Sequence, residues 1–254
     1  MRYDFQRASM MKRAPAWMLD MILLIVIATG LIAGLAYILD WDAQTEAMDS
    51  VYVRYEKEYG IDFAKTDEDF AKMDEAELAK YQAAAEAMSK DEEAQRIYQM
   101  YVNLSLVIMS GGVLGAFLIL ELLVPLLFKN GQTLGKKCFG VALMRKDGVR
   151  MTPFMVFARG ILGKYTVETM IPLLMIMGSL LGVTGLETTI LCLGFLLAQV
   201  IVPLVTRNKT ALHDLIACTV AVDMSSQMIF DSVEEMEAYE AEIIARSNAE
   251  DSAD

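Results

Sequence analysis

Apolar and polar positions along the chain are sorted into long blocks. Four stretches are almost free of charge: Met21–Leu39, Val102–Phe128 with one internal Glu, Tyr165–Val183 with one Glu, and Thr188–Val205 with none. A helix rising ~1.5 Å per residue needs ~20 residues to cross ~30 Å of hydrocarbon, and each stretch is close to that length. The pattern predicts an all-α membrane protein of four transmembrane helices, at about 16–39, 102–128, 165–183 and 188–205, forming one transmembrane domain over 1–223. Between the first two spans, residues 40–100 form a polar insertion, and residues 224–254 form an acidic tail.

The insertion is the one long soluble segment. Its stretch "DEAELAKYQAAAEAMSKDEEAQRIYQMY" is rich in Ala, Glu, Lys, Gln and Met, strong helix formers, and predicts a helical hairpin with a break near "YGIDFAKTD". Ser89-x-x-Glu92 has the form of a capping box restarting a helix. Tyr52, Tyr55 and Tyr59 recur at helical spacing and predict one face packed on a partner helix. A calcium loop beginning at Asp62 fails, because Ala64 stands where an oxygen ligand is needed and Asp67 where glycine is needed.

Composition explains how a 55% hydrophobic chain of 254 residues also carries a net charge of −12: the two properties occupy different segments. The charges orient the spans. Met1–Leu19 holds four Lys/Arg and one acid, Lys129–Lys164 holds eight Lys/Arg and one acid, and Asp40–Arg96 holds seven Lys/Arg and seventeen acids. Basic flanks stay inside, so both termini and the 129–164 loop are expected on the cytoplasmic side of a bacterial plasma membrane, with 40–100 outside. The first apolar run exceeds the ~7–15 residues of a signal core, which argues against cleavage. Three cysteines, none on the outer side in this topology, imply no disulfide framework.

The segment after the second span reads "KNGQTLGKKCFGVALMRKDGVRMTPFMVFARGILGKY". A phosphate loop fails, since Lys136 is followed by Lys137 instead of Ser or Thr. Asp147-Gly148 between "VALMR" and "VRMT" predicts a short β-hairpin. Setting Thr133–Lys136 over Ala211–Asp214 brings "VAL" near "VAV", a faint internal repeat of two spans followed by an interfacial strip.

These residues carry a resemblance. Arg13 and Asp20 at the first span, the "GQTLGKKCFGVAL" block, Arg159 before the third span, and "TALHDLIACTVAV" with Asp214 after the last together resemble the RDD family of bacterial membrane proteins. The resemblance covers all but the insertion and the tail. It implies Arg13, Asp20 and Asp214 as signature residues, and it implies little about activity beyond the transport, including cation/proton exchange, suggested for some members. Where the family motif reads Thr-Leu-His-Asp, this chain has one additional residue, Ala211.

Arg13 and Asp20 lie two helical turns apart, ~10 Å along the axis, too far for a direct bond. Charges beside hydrocarbon cost a few kcal/mol unless paired. Asp214 is the expected partner of Arg13, and Arg159 that of Asp20. Glu121 falls ~10 Å inside the second span, and Lys164 and Glu168, four residues apart, are expected to pair. Every charge bordering the spans thus falls on the inner side.

Two function classes follow: an accessory or structural membrane module knitted by the charge cluster, and a cation/proton or small-solute transporter using Glu121 and Asp20. A single His excludes two-histidine metal motifs within one chain, and Asp214 cannot orient its own neighbour His213, so neither catalysis nor a cofactor is expected. The expected partners are the bilayer with its anionic headgroups, a second copy of the chain, or another membrane protein; nucleic acid is disfavoured by the acidic balance.

Overall fold

A computed structural model describes residues 6–128, 131–180, 185–206 and 210–251. Twelve α-helices, two π-helical segments and two strands are assigned in these segments, grouped into two compact units: residues 28–113, and the remainder on either side.

The unit 28–113 contains the second half of α1 (Met10–Ile38), then α2 (Trp41–Tyr59), α3 (Asp67–Phe70), α4 (Glu75–Lys90) and the first part of α5 (Glu92–Phe117). The insertion is helical as its composition predicts. Val51, Tyr55 and Ala94 form its core, with Tyr59 and Phe63 packed against them, so the tyrosine face packs inward with Tyr55 buried and Tyr52 and Tyr59 half-buried. The break falls at Gly60, whose left-handed backbone closes α2. There Asp62 and Asp69 cap their own turn, accepting from the backbone of Ala64 and Thr66. The restart is a correction: Asp91, not the Ser89–Glu92 box, accepts from the backbone N–H of Glu93 and Ala94, while the Ser89 hydroxyl turns back to the Glu86 carbonyl. Asp91 also accepts from Tyr55, at 3.0 Å, which ties the cap to α2 and makes the carboxylate the better capping group here.

The other unit is built on two antiparallel strands. β1 (Val141–Arg145) pairs with β2 (Thr219–Asp223), with Leu143 opposite Ala221. The hairpin predicted across Asp147-Gly148 is therefore corrected. The turn forms, but "VRMT" does not become the partner strand; Val149 instead bridges Phe230. Both strands are buried on both faces, so each wants apolar contact above and below, and a local hairpin with Arg150 in it could not supply that. Ala8, Val141, Leu143 and Met151 fill one side, while Met144, Val220 and Val222 fill the other.

The faint repeat is real in three dimensions. A short helix, α7 (Leu134–Cys138), precedes β1, and α11 (Leu212–Ile216) precedes β2. Thr133 and Ala211 start the helices, Gly140 and Cys218 leave them with left-handed backbone, and Leu143 and Ala221 face each other; each pair is 78 positions apart. A constant offset centred on one antiparallel pair is a local two-fold relation.

Among the described residues, three helices are long and apolar enough to cross a membrane: α1, the run Glu92–Leu127, and α10 (Leu186–Val205). The third predicted span is irregular. α8 (Pro153–Phe157) leads into a π-helical segment, Ala158–Met170, then α9 (Ile171–Leu180), and residues 181–183 lie outside the described ones. A second π-helical segment, Leu118–Leu123, interrupts the second long helix before α6 (Val124–Leu127). The acidic tail contains α12 (Val233–Asp251).

Candidate functional site

The two π-helical segments contact each other and bring a charged cluster to the end of the spans that bears the sheet. A π-helix bonds i→i+5 and widens the turn. That widening decides which side chains meet. At 3.6 residues per turn, Arg159 and Glu168 would be two and a half turns apart and face opposite ways. In the wider helix Arg159, Lys164 and Glu168 all reach the cluster. Two threonines support the geometry, Thr166 and Thr169 donating to the carbonyls of Ile161 and Lys164, five residues back.

Two pairs of carboxylate and cation are related by the internal repeat, with their signs exchanged. Asp20, on α1, accepts from Thr133 Oγ1, from the Gly135 backbone N–H at 2.8 Å and from Lys136 Nζ at 3.3 Å. Asp214, on α11, accepts from Arg159 Nε at 2.8 Å and from Thr219 Oγ1 at 3.2 Å. Lys136 and Asp214 occupy equivalent places in the two short helices. The expected pairing of Arg159 with Asp20 is thereby corrected: α7 docks on α1 and α11 on the π-helical segment Ala158–Met170, so Arg159 is delivered to Asp214 and Asp20 to Lys136.

Close docking needs small residues on each side. A Cβ on Gly135 would sit 2.2 Å from the Ala16 carbonyl oxygen, and one on Gly163 would sit 2.7 Å from the His213 Cβ. Arg13 lies at the same end of α1, shares a cavity wall with Asp214 and interacts with it electrostatically, as the sequence leads one to expect.

Glu121 bonds Lys164, and Arg159 lies 3.8 Å from its other oxygen. The predicted Lys164–Glu168 pair is a second correction. The π-helical turn places Lys164 against Glu121, and Glu168 goes to His213, whose backbone N–H donates to it at 2.9 Å. His213 bridges the network: Nδ1 is 2.8 Å from Glu168 and Nε2 is 2.9 Å from an Arg159 nitrogen. An imidazole that donates from Nδ1 and accepts at Nε2 is neutral. Burial, aided by Arg159, holds the His213 pKa below its usual value against the pull of Asp214 and Glu168, in agreement with that assignment. Burial pushes the Asp214 carboxyl up, but His213, Arg159 and Arg13 outweigh it and hold it well below the usual range. For Lys136, burial and the nearby Lys164 and Arg159 charges lower the ammonium pKa to about 8.

Among the described residues the cluster thus holds four cations, Arg13, Lys136, Arg159 and Lys164, and four carboxylates, Asp20, Glu121, Glu168 and Asp214. Glu121, Arg159 and Asp214 are 6%, 4% and 2% exposed, which only mutual neutralisation allows. Sequence reasoning missed Lys136, His213 and Thr133 as members. Lys136 was detectable as the repeat mate of Asp214.

Beyond the cluster, three cations of the basic loop are engaged within the chain. Arg145 pairs with Asp147, Arg150 with Asp231, and Lys137 lies over the Phe128 ring. A model of the RDD family matches residues 7–218, from the start of the described chain to the end of the second short helix. Neither a curated protein nor a solved structure matches the chain.

Proposed function

Because the chain belongs to the RDD family and carries long apolar helices, we propose that it is a four-span protein of the plasma membrane, with both ends in the cytoplasm, serving as an accessory or structural module. The observation that carries this reading is the closed pairing of the cluster. Each of its carboxylates is already held by a named cation, hydroxyl or imidazole, so the network ties the ends of the spans to the sheet and offers no chain of open acceptors. His213 is assigned a bridging role and no catalytic one. The acidic helical insertion, placed outside by the basic flanks, is the segment we assign to recruiting a partner, and anionic lipids are the companions of the inner side.

A second reading, cation/proton exchange, is favoured by one detail: the Glu121 Oε2 atom is buried without a hydrogen-bond donor. Purified protein in vesicles, under an imposed proton gradient with Na⁺, K⁺ or Li⁺, separates the two. The accessory role predicts no flux for any cation and loss of stability alone in Glu121→Gln. Cation-dependent proton flux that disappears in a folded Glu121→Gln variant would establish exchange instead.

A further inference from the structure

A cavity of about 280 Å³ opens beside the cluster, between the start of α1, α7, the π-helical segment at 158–170, and α11. Its wall is unbalanced. Arg13, Lys136, Arg159 and Lys164 all line it, yet of the four carboxylates that neutralise the cluster only Asp214 does. Asp20, Glu121 and Glu168 hold their partners from outside the wall. For Lys136 and Lys164 the anion thus sits behind the cation, while Arg159 meets Asp214 on the wall itself.

Apart from His213, the rest of the lining is apolar, with Trp17 and Met10 on α1 and Pro203 on α10 beside Val141 and Ala221 of the two strands. Trp17 is 61% exposed, at the end of the span where an indole is favoured between headgroups and chains. The volume lies at the lower edge of the roughly 300–1,000 Å³ of small-molecule sites, which fits a headgroup and excludes a whole lipid.

We propose that this cavity binds the phosphate of an anionic membrane amphiphile, with the phosphate oxygens among Arg13, Lys136, Arg159 and Lys164 and the acyl chains leaving past Trp17 and Pro203. Arginine and lysine make short, charge-assisted bonds to phosphate oxygens, and basic pockets between membrane helices recur as headgroup sites. The bound group adds an anion where four cations and one carboxylate line the wall. The inference deepens the lipid companionship proposed above and rests on the membrane placement, but not on the accessory role: flux in vesicles would overturn that role and leave the headgroup site intact.

The test uses the full chain in a neutral detergent, with Trp41→Phe so that Trp17 alone reports. Dioctanoyl phosphatidylglycerol, dioctanoyl phosphatidylcholine, dioctanoylglycerol and inorganic phosphate are titrated separately. The phosphatidylglycerol is expected to bind about tenfold tighter than the phosphatidylcholine or the diacylglycerol. Lys136→Gln is expected to weaken it about fivefold. If Lys136→Gln fails to fold, Ala14→Phe decides, because Ala14 lines the cavity, is exposed and carries no charge; it fills the mouth and should abolish binding. Equal affinity for phosphatidylglycerol and diacylglycerol, or unchanged binding in Ala14→Phe, overturns the site. Inorganic phosphate binding as tightly as phosphatidylglycerol keeps the phosphate site and overturns the amphiphile as its source.

Discussion

Removing the carboxylate of Asp214 is the sharpest perturbation of this network. Asp214→Asn preserves shape and hydrogen-bonding atoms but leaves Arg159, 4% exposed, without its closest counter-charge. Losing one partner of a buried pair typically costs ~3–5 kcal/mol. The lower end applies, about 3 kcal/mol, because Arg159 keeps Glu121 at 3.8 Å and His213 at 2.9 Å. Replacing both members is a different matter. With Arg159→Met and Asp214→Leu together, no charge is stranded, Glu121 retains Lys164, and apolar replacement of a whole buried pair is often neutral. Each single change should therefore be worse than the double one, which requires a coupling between the sites larger than either single loss, about 3 kcal/mol or more. The assay is reversible unfolding in mixed micelles of neutral detergent and dodecyl sulfate, followed by Trp17 emission in the Trp41→Phe background. Additive losses, or an Asp214→Asn penalty under about 1 kcal/mol, would refute the claim that the pair is buried and interdependent.

Three further outcomes follow from the same geometry. Gly163→Ala should lose about 1–3 kcal/mol through overpacking against His213, measured in the same assay, whereas Gly194→Ala, with open space around its Cβ position, should stay within about 0.5 kcal/mol; similar losses at both would contradict the close docking of α11. Because the folded-state pKa of His213 is lowered, the unfolded chain binds the extra proton first, so stability should fall as pH drops below about 6.5; His213→Gln should flatten that profile between pH 7 and 5, and an unchanged slope would assign the acid sensitivity elsewhere. Cys218 has left-handed backbone where its repeat mate is Gly140, so Cys218→Gly should raise the melting temperature slightly, while Gly140→Ala should cost about 1–2 kcal/mol.

How much of the site was legible depended on which interactions are local in sequence. The membership of Arg13, Asp20, Glu121, Arg159 and Asp214 could be read from their position at the polar ends of apolar runs, because an ionised group beside lipid has few solutions other than pairing. Who pairs with whom could not. The expectation of a Lys164–Glu168 bond assumed an α-helical turn, and nothing in "ARGILGKYTVETM" announces an i→i+5 ladder. The misplaced hairpin has the same origin: Asp147-Gly148 makes its turn correctly, but a strand buried on both faces selects its partner by burial.

The sequence by itself determined the class of protein, the apolar segments, the helical character of the insertion and the sign of charge in each polar segment, since length, hydropathy and helix propensity are summed over neighbours and need no fold. Tertiary structure alone decided that two short helices 78 positions apart are mates, that they carry opposite charges to opposite partners, and that their cations face a common cavity. Those facts depend on distances between segments far apart in the chain. There the winning arrangement is the one that leaves no charge stranded, and a pattern read along the chain does not contain that sum.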